Sequence, residues 1–492
     1  MSYQVPIAYS APEATAIPSV LVGDELKQFA GMRTLTKFVP SSSGATVQPN
    51  SSCLFNIPAE AYGYIKPNSM YLKGYVTVTY DATKTAPFVS ANEHCFAFAG
   101  NTNVSADDDY GLLYNLQNHG TGGASSMFSR VTVTLPGGAS MSYAQHHHWR
   151  NAVMTHALSA EYVQFDLREM EYAGETRSMK GSLDQRNNAQ AQIYFSIPMD
   201  IPLFNGSTAF PLLLCSGGIS LEITTAAVGE AFTCGAKTGG VGTAIIDTYQ
   251  LSNLGLVYEV MSVSSEFKSA LVSSRADRGY MIHVADRTVV GPVQISGSTR
   301  YNFGVGLASC KGVLFTEILT SVNNQIGSAK GYSHNAMDYY NVYRDGQQMS
   351  IPNITSSDVA FIEMNRALGR INDSNVTSRI VTVANSVDTN ARTSYTASPA
   401  GAFLAGCSFQ NISDWSFAAQ GTPCDQIAID IYKVATSSTR ASQTTAFTTT
   451  EQVRYAERWG KGIVGSASLL YIWVLYDTVV VVMPDGTCQI RK

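Results

Sequence analysis

From about residue 51 the chain alternates apolar and polar positions in short runs. CLFNIPAE and YLKGYVTVTYD put every second side chain on an apolar face and are rich in β-branched and aromatic residues. A period of two with that composition predicts half-buried strands. In MFSRVTVTLPGGASM, Pro136-Gly137-Gly138 separates two such runs and predicts a hairpin. Further strands are predicted in AQIYFSIPM, PLLLC, ISLEITTA and IIDTYQLSNLGLVYEVM. SYAQHHHWRNAVMTHALSAEY departs from the pattern, because Trp149, Val153, Met154 and Leu158 recur about one turn apart. That spacing predicts a helix.

The second half repeats the plan. GYMIHVADRTVVG, TRYNFGVGLASCKGVLFTEILT and QIAIDIYKV read as strands, and YYNVYRDGQQMSI holds a turn at Asp345-Gly346. SSDVAFIEMNRALGRIND predicts a helix that starts at Ser357 and Asp358. The most apolar stretch, Leu469 to Met483, is too short to span a bilayer and carries Asp477. It predicts two buried strands meeting at that residue. Residues 1–50 are rich in Pro, Ser and Ala apart from a helix-like LVGDELKQFAGM, and predict an N-terminal arm. Each half thus combines many short strands with one helix in the same relative place, a coarse duplication. The expectation is an all-β chain of two sandwiches, and jelly rolls are among the Greek-key forms that fit the count.

Length agrees, since 492 residues suit two domains of roughly 200–250 each. Composition adds more. Hydrophobic residues make up 45%, enough for a core in each half, whereas charged residues make up only 14%. A polar but weakly charged surface suits broad contacts between copies, because desolvating charge is costly. Many β-rich chains are Ser/Thr-rich without such a role. The net charge is −5, and the longest like-charge run is acidic, Asp107-Asp108-Asp109. A protein that coats nucleic acid needs clustered Lys and Arg, so direct genome binding is not expected.

The cysteines (Cys53, Cys95, Cys215, Cys234, Cys310, Cys407, Cys424 and Cys488) are scattered, with no CxxC pair. That excludes the common zinc patterns, argues against a disulfide scaffold in a chain this large, and fits reduced thiols made in the cytosol or nucleus. MSYQVPIAYSAPEATAIPS lacks the basic and apolar regions of a signal peptide.

The candidate chemistry is sparse. His146-His147-His148 and His156 form the densest cluster. Consecutive helical residues point about 100° apart, so three adjacent His cannot ligate one metal from one face. His148 and His156 could share a face, and a pH-sensitive contact is the other functional reading. Asp107 to Asp109 lack the Gly and bidentate Glu of a calcium loop. Gly120–Gly123 and Gly239–Gly242 lack a phosphate-loop context. Glu161, Asp166, Glu169 and Glu171 read as an exposed loop rather than a glycosidase pair. No GxSxG, HExxH or DFG-like element occurs. No catalytic, cofactor-binding or metal residue is assigned, and the expectation is a protein that is not an enzyme.

Four segments carry a resemblance. NLQNHGTGGASSMFSRVTVTLPGGASMSYAQHHHWRNAV resembles a segment of virophage-like and polinton-like major capsid proteins, in which a short strand, a Gly turn and a helix recur in that order. FSIPMDIPLFNGSTAFPLLLCSGGISLEITTA, IIDTYQLSNLGLVYEVMSVSSEF and NNQIGSAKGYSHNAMDYYNVY are similar to further segments of that double jelly-roll lineage. The four keep the family's order over about residues 112–345. The Pro usual after the last motif is replaced by Gly331-Tyr332-Ser333.

The resemblance implies a double jelly roll: an arm at 1–50, a first eight-stranded jelly roll at 51–262 and a second at 263–492, with short inserted helices. It also implies a homotrimer with a pseudo-hexagonal outline in an icosahedral DNA-virus shell. Loops 82–125 and 159–190 would form its towers. Neighbouring capsomers and minor capsid, penton and cement proteins would be its partners, with contact to an inner membrane as a further option. Its location would be the virion, assembled in host cytoplasm or nucleus. The competing expectation is a two-domain β-sandwich that binds or cleaves carbohydrate, since fold does not fix function.

Overall fold

The computed structural model describes residues 33–80, 94–98, 124–154, 190–206, 208–236, 246–275, 279–319, 334–369, 403–410, 421–433, 459 and 467–492. In the first half the strands are β1 (Arg33–Pro40), β2 (Thr46–Val47), β3 (Ser52–Ile57), β4 (Gly63–Ile65), β5 (Tyr71–Tyr80), β6 (His94–Phe98), β7 (Phe128–Thr134), β8 (Ser140–Ala144), β9 (Gln190–Pro198), β10 (Ile219–Thr225), β11 (Phe232–Ala236) and β12 (Ile246–Ser262). The second half contributes β13 (Tyr280–Ile295), β14 (Thr299–Leu319), β15 (Met337–Arg344), β16 (Gln347–Gln348), β17 (Ala405–Ser408), β18 (Thr422–Lys433), β19 (Ser468–Val482) and β20 (Cys488–Arg491). Short helices interrupt them: α1 (His146–His148), α2 (Pro202–Asn205), α3 (Val228–Ala231), α4 (Ser265–Arg275) and α5 (Ser357–Ala367). None of the described helices is long and apolar enough to cross a membrane.

The first half is a sandwich of two antiparallel sheets, β1-β12-β5-β9 and β3-β10-β7-β8, with β6 and β11 as a separate ribbon. The alternation read from the sequence sets its register. Leu72 of β5 sits between Leu256 and Ile197, and Leu221 of β10 between Phe55 and Val133. All six are buried. Each such side chain contributes roughly 1.5–3 kcal/mol of hydrophobic stabilisation. Along β5 and β10 the intervening Lys73, Tyr75, Ser220 and Glu222 are half-buried or exposed, which is why the period there is two.

The second half folds one continuous sheet, β13-β19-β14-β18-β15-β16, onto itself, with β17 on β14 and β20 on β19. The long β14 makes the corner. Its first part pairs with β18 and its last part with β19 and β17, and the register shifts between Gly304 and Leu307 and again before Cys310. Bulges of this kind let one strand pass from one layer to the other. Phe303, Phe315, Tyr340, Val342, Ile429 and Ile472 fill the space enclosed. The architecture is all-β, two consecutive jelly-roll sandwiches.

The Pro136-Gly137-Gly138 hairpin and the Asp345-Gly346 turn are both present. Other expectations are corrected. Residues 33–40, read as part of the arm, form an edge strand paired with β12 from Arg33↔Ser262 to Pro40↔Gly255. PLLLC is not a strand: Leu212–Leu214 form a 3-10 turn, with Leu214 N–H donating to Pro211 O and Cys215 N–H to Leu212 O. A short apolar run does not reveal its period. Helix α5 is capped one residue earlier than expected, because the Ser356 side chain accepts from Val359 N–H. The helix expected from Trp149 is present as a π-helical turn, Trp149–Met154, continuing α1. LVGDELKQFAGM and Leu158 lie outside the described residues.

Leu469 to Met483 is one strand, β19, rather than two. Leu470, Ile472, Val474 and Tyr476 face the second core, while Tyr471, Trp473 and Leu475 face α5 and the Trp149 turn. A strand buried on both faces loses its alternation and reads as a continuous apolar run.

Candidate functional site

The described residues outline two features, a junction between the two sandwiches and outer faces rich in aromatic residues. Strands β13 and β19 pair from Tyr280↔Val482 to Ile295↔Ser468, and their ends lie in different cores. Tyr280, Ile282, Val284, Val480 and Val482 belong to the core of the first half, whereas Ile295, Leu470 and Ile472 belong to the second. One ladder therefore runs through both sandwiches.

Between the cores lies a buried polar seam. Trp149 Nε1 donates to Asp200 Oδ2 at 2.7 Å, and Arg287 Nη2 reaches the same oxygen at 2.9 Å and the Asp200 carbonyl at 3.1 Å. The Arg287 guanidinium lies 4.2 Å from the Trp149 ring centre and 5.1 Å from that of Tyr143. Arg287 is 7% exposed and Asp200 8%, so the charges meet away from water. Burial alone would raise the Asp200 carboxyl, but Arg287, with His146, Arg150 and the Trp149 N–H, holds it below its usual value. Next along β13, Asp286 accepts from the Tyr476 hydroxyl at 2.8 Å. Burial outweighs that bond and raises the Asp286 carboxyl.

The histidines of the sequence cluster lie in this seam. His146, His147 and His148 are all buried, with His147 and His148 rings 4.1 Å apart and His148 4.3 Å from Tyr471 of β19. Burial, followed by the nearby Arg287, pushes the His146 imidazole down to about 3, so it is neutral. No group of three His, Cys, Asp or Glu among the described residues is arranged to hold a metal. His156, Asp107 to Asp109, Gly120–Gly123, Gly239–Gly242, Glu161, Asp166, Glu169 and Glu171 all lie outside the described residues.

Two further buried charge clusters stiffen the second half, and sequence reasoning did not find them as pairs. Lys311 Nζ meets Asp477 Oδ1 at 2.6 Å, with Ser309 Oγ donating to Asp477 Oδ2 at 2.8 Å. Glu317, fully buried, pairs with Lys433 and accepts from Ser468 Oγ at 2.6 Å and Asn335 Nδ2 at 3.1 Å. Burial lowers the Lys433 ammonium, and Glu317 opposes this. His334, beside Lys433, is pushed to about 3 by burial first and that charge second. The available signal was Asp477, a lone carboxylate in an apolar run.

The outer faces carry aromatic residues. On the first sandwich Phe38, Tyr71 and Tyr194 are exposed; Lys73 lies over Phe38 at 5.0 Å, and Tyr75 meets Tyr194 edge-on at 5.3 Å. On the second, Tyr339 stacks on the exposed Tyr432 at 4.3 Å, and Arg300 lies over Tyr343 at 4.7 Å while reaching Asp430 at 3.4 Å. Tyr, Phe and Arg are the residue types enriched at protein interfaces.

By sequence, no protein-family model and no curated protein matches the chain. Structure comparison does give matches. The capsid chain in a quasi-atomic model of the PBCV-1 virus superposes with a TM-score of 0.54 at 12% identity, covering 94% of this chain and 97% of that one. The fold is the double jelly roll of viral capsid proteins. A chain of the Sputnik virophage matches with a TM-score of 0.54 at 10% identity, over 93% of this chain and 88% of that one. PBCV-1 VP54, fitted into a reconstruction of Sputnik, gives 0.52 at 11% identity, over 94% and 97%. Coverage on both sides places the two sandwiches of this double jelly roll, in order, on those of the viral chains.

Proposed function

We propose that this chain is a major capsid protein that catalyses nothing and builds an icosahedral virion shell from homotrimers of pseudo-hexagonal outline. The observation that carries the reading is the match of both jelly rolls, over 94% of this chain and 97% of a PBCV-1 capsid chain. The buried seam supports it. Two wedges locked through Arg287, Asp200 and a shared β13–β19 ladder act as one brick, and three such bricks give six wedges around a ring. The exposed aromatic faces supply the contact area that permanent trimers need, and a low surface charge limits repulsion between many identical neighbours.

In this reading neighbouring capsomers and minor capsid, penton and cement proteins are its partners, and its location is the virion. Residues 1–32, Pro/Ser/Ala-rich, tie capsomers together or face an inner layer. Negative-stain images of the expressed protein test the proposal: hexagonal platelets or closed shells support it, and separate single subunits at high concentration contradict it. Removing residues 1–32 should spare the trimer and impair the shell. The Tyr339–Tyr432 stack beside Asp430 favours the carbohydrate-binding alternative, since sugars bind aromatic platforms flanked by acids. Saturable glycan binding by a monomer would support that alternative.

A further inference from the structure

The end of the chain returns to the first half. The turn after β19 is held between two segments of the first sandwich. Cys488 N–H donates to Pro136 O at 2.6 Å, and Ser216 donates to Gly486 O through N–H at 2.9 Å and Oγ–H at 3.1 Å. Gly486 has φ +80°, and a Cβ there would lie 2.4 Å from Ser216 N. The clasp brings two thiols together from positions 215 and 488. The Cys215 thiol, which donates to Pro211 O at 3.5 Å, lies within hydrogen-bond reach of the Cys488 sulfur, both in the reduced state. Cys488 is part of the first core, and the half-buried Cys215 packs against it.

We infer that Cys215 and Cys488 are a disulfide-forming pair, closed by exchange with a small soluble disulfide, so that oxidation fastens the chain end to the first sandwich. The inference stands on the clasp alone and does not depend on the capsid reading. Sulfurs already in hydrogen-bond contact need only a short approach to reach bonding geometry. The contact with Cys215 lowers the Cys488 thiol below its ordinary value, which favours its thiolate as the base of the pair. In the first step Cys215, the more exposed of the two, loses its proton to the Cys488 thiolate and attacks one sulfur of the small disulfide, forming a mixed disulfide and releasing a small thiolate. That thiolate takes the proton back from Cys488. Cys488 then attacks the Cys215 sulfur and displaces the second small thiolate, which is protonated by solvent. The cysteine pair loses two electrons, and the small disulfide gains them. A second hydrogen-bonded pair, Cys310 and Cys424, is sealed in the other core at 0% and 1% exposure, so a soluble reagent meets Cys215 first.

The test is to incubate the full chain with oxidised glutathione, alkylate, digest, and map disulfides by mass spectrometry without reduction. The expected result is one cross-linked peptide pair holding Cys215 and Cys488. A rise in Tm on the order of 5 °C, reversed by dithiothreitol, should accompany it, because the bridge closes a long loop. Cys488→Ser and Cys215→Ser should each abolish the link and the shift; the second variant disturbs the core least. A map with both thiols still alkylated, stable glutathione adducts on Cys215, or an unchanged shift in Cys215→Ser would overturn the inference.

Discussion

Arg287 of β13 and Asp200, just after β9, meet at 2.9 Å across the boundary between the two sandwiches, with both side chains nearly sealed from water. Trp149 completes the arrangement, donating to the carboxylate while its ring lies under the guanidinium. A pair this buried is weak evidence for net stability, but it makes the geometry specific, because neither charge has another place to go.

Removing one member should therefore cost more than removing both. Asp200→Ala leaves Arg287 buried and uncompensated, and is expected to lower stability by about 3–5 kcal/mol. Adding Arg287→Met to it should recover part of the loss. Urea unfolding of the single and double variants measures the coupling.

Acid should loosen the protein well before carboxylates in general titrate. His146 and His334 are each depressed to about 3 against an ordinary value of 6.5. The unfolded chain therefore binds protons that the folded one refuses, and stability is full above pH 6.5 and lost as pH falls toward 3. Each group contributes about 1.4 kcal/mol per pH unit inside that window. Asp200, held low, adds to the loss at the acid end, while Asp286, held high, partly opposes it. The groups facing His146 are Arg287, Asp200 and Arg150, so the positive charge it gains meets two cations. Unfolding midpoints at pH 7, 5.5 and 4.5 should fall steadily, and His146→Gln should flatten the slope.

The outer faces should matter for assembly and little for folding. Tyr71→Asp with Tyr194→Asp changes side chains that are 37% and 43% exposed. Exposed substitutions of this kind usually fall within about 0.5 kcal/mol. Tm should stay close to that of the parent chain while the trimer fraction falls, as read by sedimentation velocity.

Legibility followed the physics of burial. The β7–β8 hairpin could be read because Gly137 and Gly138 occupy positive φ, a conformation glycine reaches freely. Half-buried strands such as β5 could be read because one face stays wet. β19 could not, since both of its faces are buried and the alternation disappears. The seam was hidden for another reason: Asp200 and Arg287 stand 87 positions apart, and only the folded chain joins them. The histidines of α1 were visible as a cluster, but their burial against Tyr471 was not, because nothing local to residues 146–148 indicates a strand more than 300 positions away.

The mass of the purified full chain, followed by light scattering during gel filtration over a range of concentrations, tests the central claim most directly. The account predicts a stable species of three times 52.9 kDa. A single 52.9 kDa subunit persisting at every concentration would contradict it.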